Sequence, residues 1–248
     1  MVTPREIAKR LPVVPFVYRT LRDWYSRYRL KFKSTEAVFT GIYKTNAWGH
    51  QDSVSGEGSS TRQTRVIAAE LPSLFAALKI STILDIPCGD FHWMKDVDLA
   101  RLDYTGADIV KDLIETNRSK YAGERRRFQS MNLIQDRLPR VDLILCRDCL
   151  VHLSGAEILL ALRNICDSQS EYLLTTTFTD RTHNADIVAG QWRVINLELA
   201  PFWLPKPLRV VNEGCTEGNG AFQDKALGLW KVSEIRESLA GGQRRPGG

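Results

Sequence analysis

The sequence predicts an α/β protein: a doubly wound, mostly parallel sheet of seven strands with an antiparallel hairpin at one edge and a helical extension at its N-terminus. Three observations predict it. Short apolar runs alternate with helically spaced segments from residue 81 to residue 178. The first of these runs ends in an acid followed by a glycine turn, and the last third holds two strand-like runs with no helix between them. Strands separated by helices pair in parallel through crossovers, which leaves helices on both faces of the sheet.

Ile83-Leu84-Asp85-Ile86 is the first strand, and residues 104–109, reached through an intervening helix, are the second. Residues 111–121 are helical, Arg127-Phe128-Gln129 is a short third strand, and residues 141–146 are the fourth. Residues 156–166 place Ile158, Leu159, Leu162 and Ile165 on one helical face, and residues 172–178 are a β-rich fifth strand. Residues 208–211 and 226–230 form the antiparallel pair. Upstream, residues 63–78 carry Val66, Ile67, Leu71, Leu74 and Phe75 at helical spacing. Pro201, Pro205 and Pro207 break residues 196–208 into a loop able to close over a site.

The chain divides into a basic amphipathic arm (1–44), one main domain (45–238) and a disordered tail (239–248). Within the domain, residues 45–64 are polar and rich in Gly and Ser, yet carry Trp48 beside Gly49. A ligand-covering loop and a plain linker both fit that composition. At 248 residues, 43% hydrophobic and 25% charged, the chain can bury a sizeable core as a single domain.

The formal net charge is +5, from 34 Lys and Arg against 29 Asp and Glu. The excess sits in the arm, where Arg5, Lys9, Arg10, Arg19, Arg22, Arg27, Arg29, Lys31 and Lys33 face only Glu6 and Asp23. Such a helix packs on its own domain or a partner, or makes a peripheral contact with an acidic membrane surface or a nucleic acid. The five cysteines are odd in number and sit mostly in apolar runs, the pattern of reduced thiols in a cytoplasmic protein. No apolar stretch approaches the roughly 18 residues that span a bilayer, and no secretory leader is expected.

The chemistry begins at the first strand. Asp85 ends it, and Pro87-Cys88-Gly89-Asp90 forms a tight turn in which Gly89 lets a ligand approach the backbone. Doubly wound sheets bind ligands at this place, the carboxyl end of a strand at a switch in strand order. The turn lacks the Gly-x-Gly-x-x-Gly pattern of a pyrophosphate site. Asp85 and Asp90 instead repel phosphate and suit a ligand bearing a cation. S-adenosylmethionine (SAM), with its sulfonium and ammonium, is such a ligand. Asp108 ends the second strand roughly 20 residues on, where a carboxylate can bond ribose hydroxyls; the plain alternative is a helix cap.

The Leu-Asp-x-x-Cys-Gly turn, the acid after the second strand and residues 142–153 resemble the motifs of class I SAM-dependent methyltransferases, a Rossmann-like family. Pro-Cys-Gly-Asp-Phe-x-Trp-Met, Cys-Arg-Asp-Cys-Leu-Val-His-Leu, Leu-Thr-Thr-Thr-Phe and Asp-Lys-x-Leu-x-Leu-Trp are similar to a bacterial subgroup, some of whose members lie beside glycosyltransferase or polysaccharide genes. The subgroup's Trp-Gly and Ser-Gly-x-Gly-Ser loop is matched by Trp48, Gly49, Ser55, Gly56, Gly58 and Ser59. The resemblance implies that Asp85, Cys88 and Gly89 contact the methionine part of SAM and Asp108 its ribose. It further implies that Met131 and Asn132 hold adenine, that Arg147 meets the cofactor at the fourth strand, and that the Trp48 loop covers it. Pro87-Cys88-Gly89-Asp90 departs from the Gly-x-Gly of many relatives.

Methyl transfer to oxygen benefits from a base that takes the hydroxyl proton, whereas a nitrogen acceptor needs little more than alignment. His152 leads the candidates because imidazole titrates near neutrality; Asp148, Asp180 and His183 are the others. Trp192, Arg193, Pro201, Phe202, Trp203 and Glu213 are the expected acceptor wall, although core packing explains any one aromatic. Cys146-x-x-Cys149 lacks a second ligand pair, so no metal is expected. The leading reading is methyl transfer to oxygen of a small-molecule or saccharide acceptor, the saccharide on family association alone. RNA methylation through the basic arm and a non-catalytic module of the same fold are the alternatives.

Overall fold

The structure, a computed structural model, describes Leu30 and residues 32–242. The expectations for the arm over residues 1–29 and for the tail over residues 243–248 lie outside the described residues. Five helices and seven strands are described: α1 (Thr35–Lys44), α2 (Thr61–Ala77), β1 (Thr82–Asp85), β2 (Asp103–Asp108), α3 (Lys111–Tyr121), β3 (Arg126–Ser130), β4 (Leu143–Cys146), α4 (Gly155–Asp167), β5 (Tyr172–Phe178), β6 (Arg209–Asn212), β7 (Lys225–Lys231) and α5 (Val232–Gly242). The sheet order is β3-β2-β1-β4-β5-β7-β6. Strands β1 to β5 pair in parallel, and β7 runs antiparallel to both β5 and β6. The expected edge pair is therefore present. The chain winds outward from β1 through β2 to β3, then returns to β4 on the other side of β1, so the order switches between β1 and β4.

Alternation along the central strands feeds two apolar layers. Ile144, Cys146, Leu173 and Trp230 face the layer under α4 and α5, with Leu162, Ile165 and Ile235. Leu143, Leu145, Leu174, Leu227 and Leu229 face the layer under α2, with Ile67, Leu71 and Phe75. Helix α4 opens with a capping box in which Ser154 and Glu157 exchange bonds. Both layers therefore hold the parallel strand tips rigidly along one edge.

Three expectations are corrected. The β1–β2 crossover holds no α-helix, only a 3-10 turn at Met94–Asp96. Gly89 and Phe91 take φ of +53° and +57°, which interrupts helical bonding, while Phe91, Trp93 and Met94 bury themselves in the α2 layer. The segment 196–208 does not close over a site: Leu197, Phe202 and Leu204 pack into the core, and Asn184 and Asn196 brace the backbone around them. Helix α5 continues to Gly242, past the start expected for the tail, and α1 falls within the helical arm expected over residues 1–44.

Candidate active site

A cavity of about 500 Å³ opens at the carboxyl ends of β1, β2 and β4. The β1–β2 register sets Asp85 opposite Gly106, which brings Asp108 to the neighbouring strand tip. Both carboxylates line the cavity and both are buried. Tyr104 donates its hydroxyl to Asp85 Oδ2 at 2.5 Å. Burial raises Asp85 to about 7, against the lowering effect of that bond. Asp108 accepts from the backbone N–H groups of Gly89 (3.2 Å) and Val110 (2.9 Å), and burial raises it to about 6. Neither carboxylate has an ion-pair partner among the described residues. Two buried, unpaired acids with raised proton affinity mark a place suited to a cation.

The glycine turn is built differently from the expectation. A Cβ on Gly89 would lie 2.5 Å from Ser55 Oγ, so the space beside Gly89 is taken by the Gly-Ser loop. Asp90 secures that loop, accepting from Ser53 Oγ (2.9 Å) and the Val54 N–H (3.0 Å), while its own N–H donates to Ser55 Oγ (3.0 Å). Asp90 thus fastens protein to protein. Asn117, unremarked in the sequence, donates to the Gly89 carbonyl at 2.7 Å from the inward face of α3. Its signal was an amide at helical spacing from the buried Leu113 and Ile114. Cys88, Gly89, Met131 and Asn132 all line the cavity. Asn132 Oδ1 accepts from the Ile134 N–H, which fixes the turn after β3.

The tip of β4 leads into a buried ionic cluster. Arg147 donates to Glu213 Oε2 (2.6 Å) and to the Gly58 carbonyl (2.8 Å), and lies over the Trp93 ring. Asp148, at φ +51°, accepts from Lys225 Nζ at 2.7 Å and lies 3.3 Å from Arg147. Burial alone would raise Asp148, but Lys225 and Arg147 outweigh it and hold the carboxyl far below the ordinary range. Burial likewise opposes the charge on Lys225, and Asp148 and Glu213 overcome it. Asp148 is therefore a poor proton acceptor, contrary to its listing as a base, and serves as the counter-ion of Lys225. Glu213 ties down Arg147 behind the cavity wall rather than facing an acceptor. Lys225 opens β7 beside Asp224, and a charged pair at the head of an apolar strand was its only sequence signal.

His152 lines the same cavity. Its Nδ1 lies 2.9 Å from the Gln191 carbonyl, which accepts only, so Nδ1 carries the proton and Nε2 the lone pair. Among the described residues Nε2 has no hydrogen-bond partner. Burial pushes His152 down to about 4, so the imidazole is neutral at pH 7. Trp48 stacks on it at 4.3 Å, and Phe39 of α1 meets both rings edge-on. The Trp48 loop and α1 thus cover the cavity. Asp180 and His183 are exposed and do not line it.

Of the expected acceptor wall, only Trp192 reaches the cavity, where it packs edge-on against Phe222 (4.9 Å) and Phe178 (6.2 Å). Arg193 is buried against the Leu150 and Ala185 carbonyls, Phe202 lies in the core, and Pro201 and Trp203 do not line the cavity. The apolar packing of 196–208 carried those residues away. Phe178 and Phe222 take their place.

No protein-family model and no curated protein matches this sequence. Solved structures do. The chain is similar to Burkholderia thailandensis 1,6-didemethyltoxoflavin-N1-methyltransferase, solved with its namesake compound and S-adenosylhomocysteine (17% identity, 79% of this chain and 87% of that one, TM-score 0.58). It is also similar to human N-acetylserotonin methyltransferase in complex with SAM (13%, 80% and 60%, TM-score 0.51). A third is the N-methyltransferase NodS from Bradyrhizobium japonicum (15%, 69% and 97%, TM-score 0.50). The chain spans 60% of the human protein's length. At these identities the likeness shows the fold, and the chain has the class I methyltransferase fold.

Proposed function

We propose that the protein is a SAM-dependent methyltransferase acting on an oxygen of a small-molecule acceptor. The observation that carries this reading is the pair of buried, unpaired carboxylates, Asp85 and Asp108, at adjacent strand tips on a cavity of about 500 Å³. The donor set fits the cofactor: acids for its cationic half, Asp108 for ribose hydroxyls, and Met131 and Asn132 for the base, with no phosphate cradle. The volume falls in the range of small-molecule sites, roughly 300 to 1,000 Å³. Support also comes from the fold neighbours, two of which were crystallised with SAM or S-adenosylhomocysteine.

When bound, SAM supplies a methyl carbon activated by its sulfonium, and the protein's part is alignment and proton transfer. His152 Nε2 offers its lone pair to the acceptor hydroxyl, and the Gln191 carbonyl holds the ring in that tautomer. Trp48 and Phe39 keep water from the imidazole. The RNA reading rests on an arm outside the described residues, and no observation of the cavity favours it. The non-catalytic reading sits poorly with a basic imidazole nitrogen left open at the cavity.

Calorimetry with SAM tests the proposal. Binding by the native protein, lost or weakened at least about tenfold in Asp108→Ala, is expected, since a buried hydrogen-bonded carboxylate contributes on that order. No SAM binding by the folded native protein would overturn it.

A further inference from the structure

We infer that the acceptor is a flat, non-anionic aromatic or heteroaromatic compound, held by two groups of aromatic side chains, with its reacting hydroxyl at His152 Nε2. This rests on the methyl-transfer reading and names its substrate class.

Among the rings that line the cavity, Phe39, Trp48, His152, Phe178, Trp192 and Phe222 pack against one another. They form two packed triads. In the first, Trp48 stacks on His152 and Phe39 meets both edge-on. In the second, Phe178, Trp192 and Phe222 meet at 4.9 to 6.2 Å with interplanar angles of 69° to 82°. Edge-on packing within a triad leaves ring faces and edges for a further ring, the arrangement aromatic groups prefer. The triads come from distant parts of the chain, on α1, the Trp48 loop, β5 and the segments before β6 and β7. That convergence on one cavity exceeds what core filling requires, because Trp192 remains 45% exposed there.

The charges decide the acceptor's polarity. Beside the rings, Arg147, Asp148, Glu217 and Lys225 line the cavity. Lys225 is 2.7 Å from Asp148 and 3.9 Å from Glu217, and Arg147 is 3.3 Å from Asp148 and 2.6 Å from Glu213. Both cations are engaged by carboxylates, so an anionic acceptor finds no free counter-charge without breaking a pair, and the three carboxylates against two cations add repulsion to it. A saccharide also stacks on aromatic faces, yet each of its several hydroxyls needs a partner on burial, and unpartnered polar groups are costly. In the ionic cluster the buried Glu213 Oε1 lacks a partner, but Glu213 does not line the cavity, and His152 Nε2 serves one hydroxyl.

Acidity points the same way. An imidazole held neutral by burial is a weak base, and it suits a phenol-type hydroxyl, acidic near about 10 as in tyrosine, better than an aliphatic alcohol. In the transfer, the oxygen–methyl bond forms as the carbon–sulfur bond breaks, the sulfonium becomes a neutral thioether, and the hydroxyl proton passes to Nε2 and then to water.

The test uses the native protein loaded with S-adenosylhomocysteine and three aromatic hydroxyl probes: 2-naphthol, 8-hydroxyquinoline and catechol. Methyl α-glucoside and 2-naphthoate are the comparators. Tryptophan fluorescence and calorimetry report binding. At least one aromatic hydroxyl probe is expected to bind and to quench tryptophan emission. Trp192→Ala should weaken it about tenfold, and Phe222→Leu by a smaller factor, while SAM binding is held. Tighter binding of the glucoside or of 2-naphthoate, no binding of all three hydroxyl probes, or an unchanged affinity in Trp192→Ala would overturn the inference. In those cases SAM still binds and the methyl-transfer reading stands; loss of SAM binding by the native protein removes both.

Discussion

Asp85 and Asp108 make SAM binding a proton-linked event. Burial holds them at about 7 and about 6, far above the ordinary carboxylate range, because a dry pocket disfavours the charged form. An entering cation reverses that balance and expels the protons. If only the ionised carboxylates accept it, the apparent dissociation constant is about fifteenfold weaker at pH 6 than at pH 7.5, with Asp85 contributing most. In Asp85→Asn the remaining dependence falls to about twofold, that of Asp108 alone. Calorimetry in two buffers of different ionisation enthalpy counts the protons released. In the free protein the folded state keeps protons on these two acids that the unfolded chain has lost, so their contribution to stability falls as pH rises from about 4 through 7, while the depressed His152 works against them below about 6.5. An affinity flat from pH 6 to 7.5, with no proton release, would refute the assignment of these acids to a cation.

Three further outcomes follow from the geometry. Lys225→Met strips the ammonium from Asp148, leaving Arg147 at 3.3 Å as its partner, and urea unfolding should register a loss of about 3 kcal/mol, partly recovered by adding Asp148→Asn. His152→Ala should lower turnover on an accepted substrate about 10² to 10⁴-fold with SAM affinity unchanged; in the native enzyme the histidine's contribution is lost only as pH falls through about 4, as rate–pH profiles would reveal. Gly89→Ala combines a left-handed φ of +53° with a Cβ 2.5 Å from Ser55 Oγ, so a loss of about 2 kcal/mol and displacement of the Ser53–Ser55 loop are expected by thermal melting and proteolysis of that loop.

The sheet was legible because its strands announce themselves by two local signals, apolar runs of strand length and an acid at the tip. Residues 172–178 were read with their observed bounds from the apolar and β-branched run, and residues 111–121 from helical spacing. The absent β1–β2 helix was not, since the aromatic residues of 91–94 are compatible with helix and only their burial beside Phe128 and Tyr104 selects a coil. Asp148 read as a base because carboxylates in a site usually are candidates. Its partner Lys225 lies 77 residues away, beyond any local pattern.

The amino-acid order alone determined the strand succession, the Asp85–Gly89 turn, Asp108 and the candidacy of His152, because each depends on neighbours within a few residues. Tertiary structure decided which side chains share the cavity: that Trp48 stacks on His152, that Phe178 and Phe222 stand where Phe202 and Trp203 were expected, and that Ser55 fills the space beside Gly89. Those contacts are set by how the sheet's two apolar layers pull distant segments together. Burial is a property of the whole molecule, and it is what raises the proton affinity of Asp85 and Asp108.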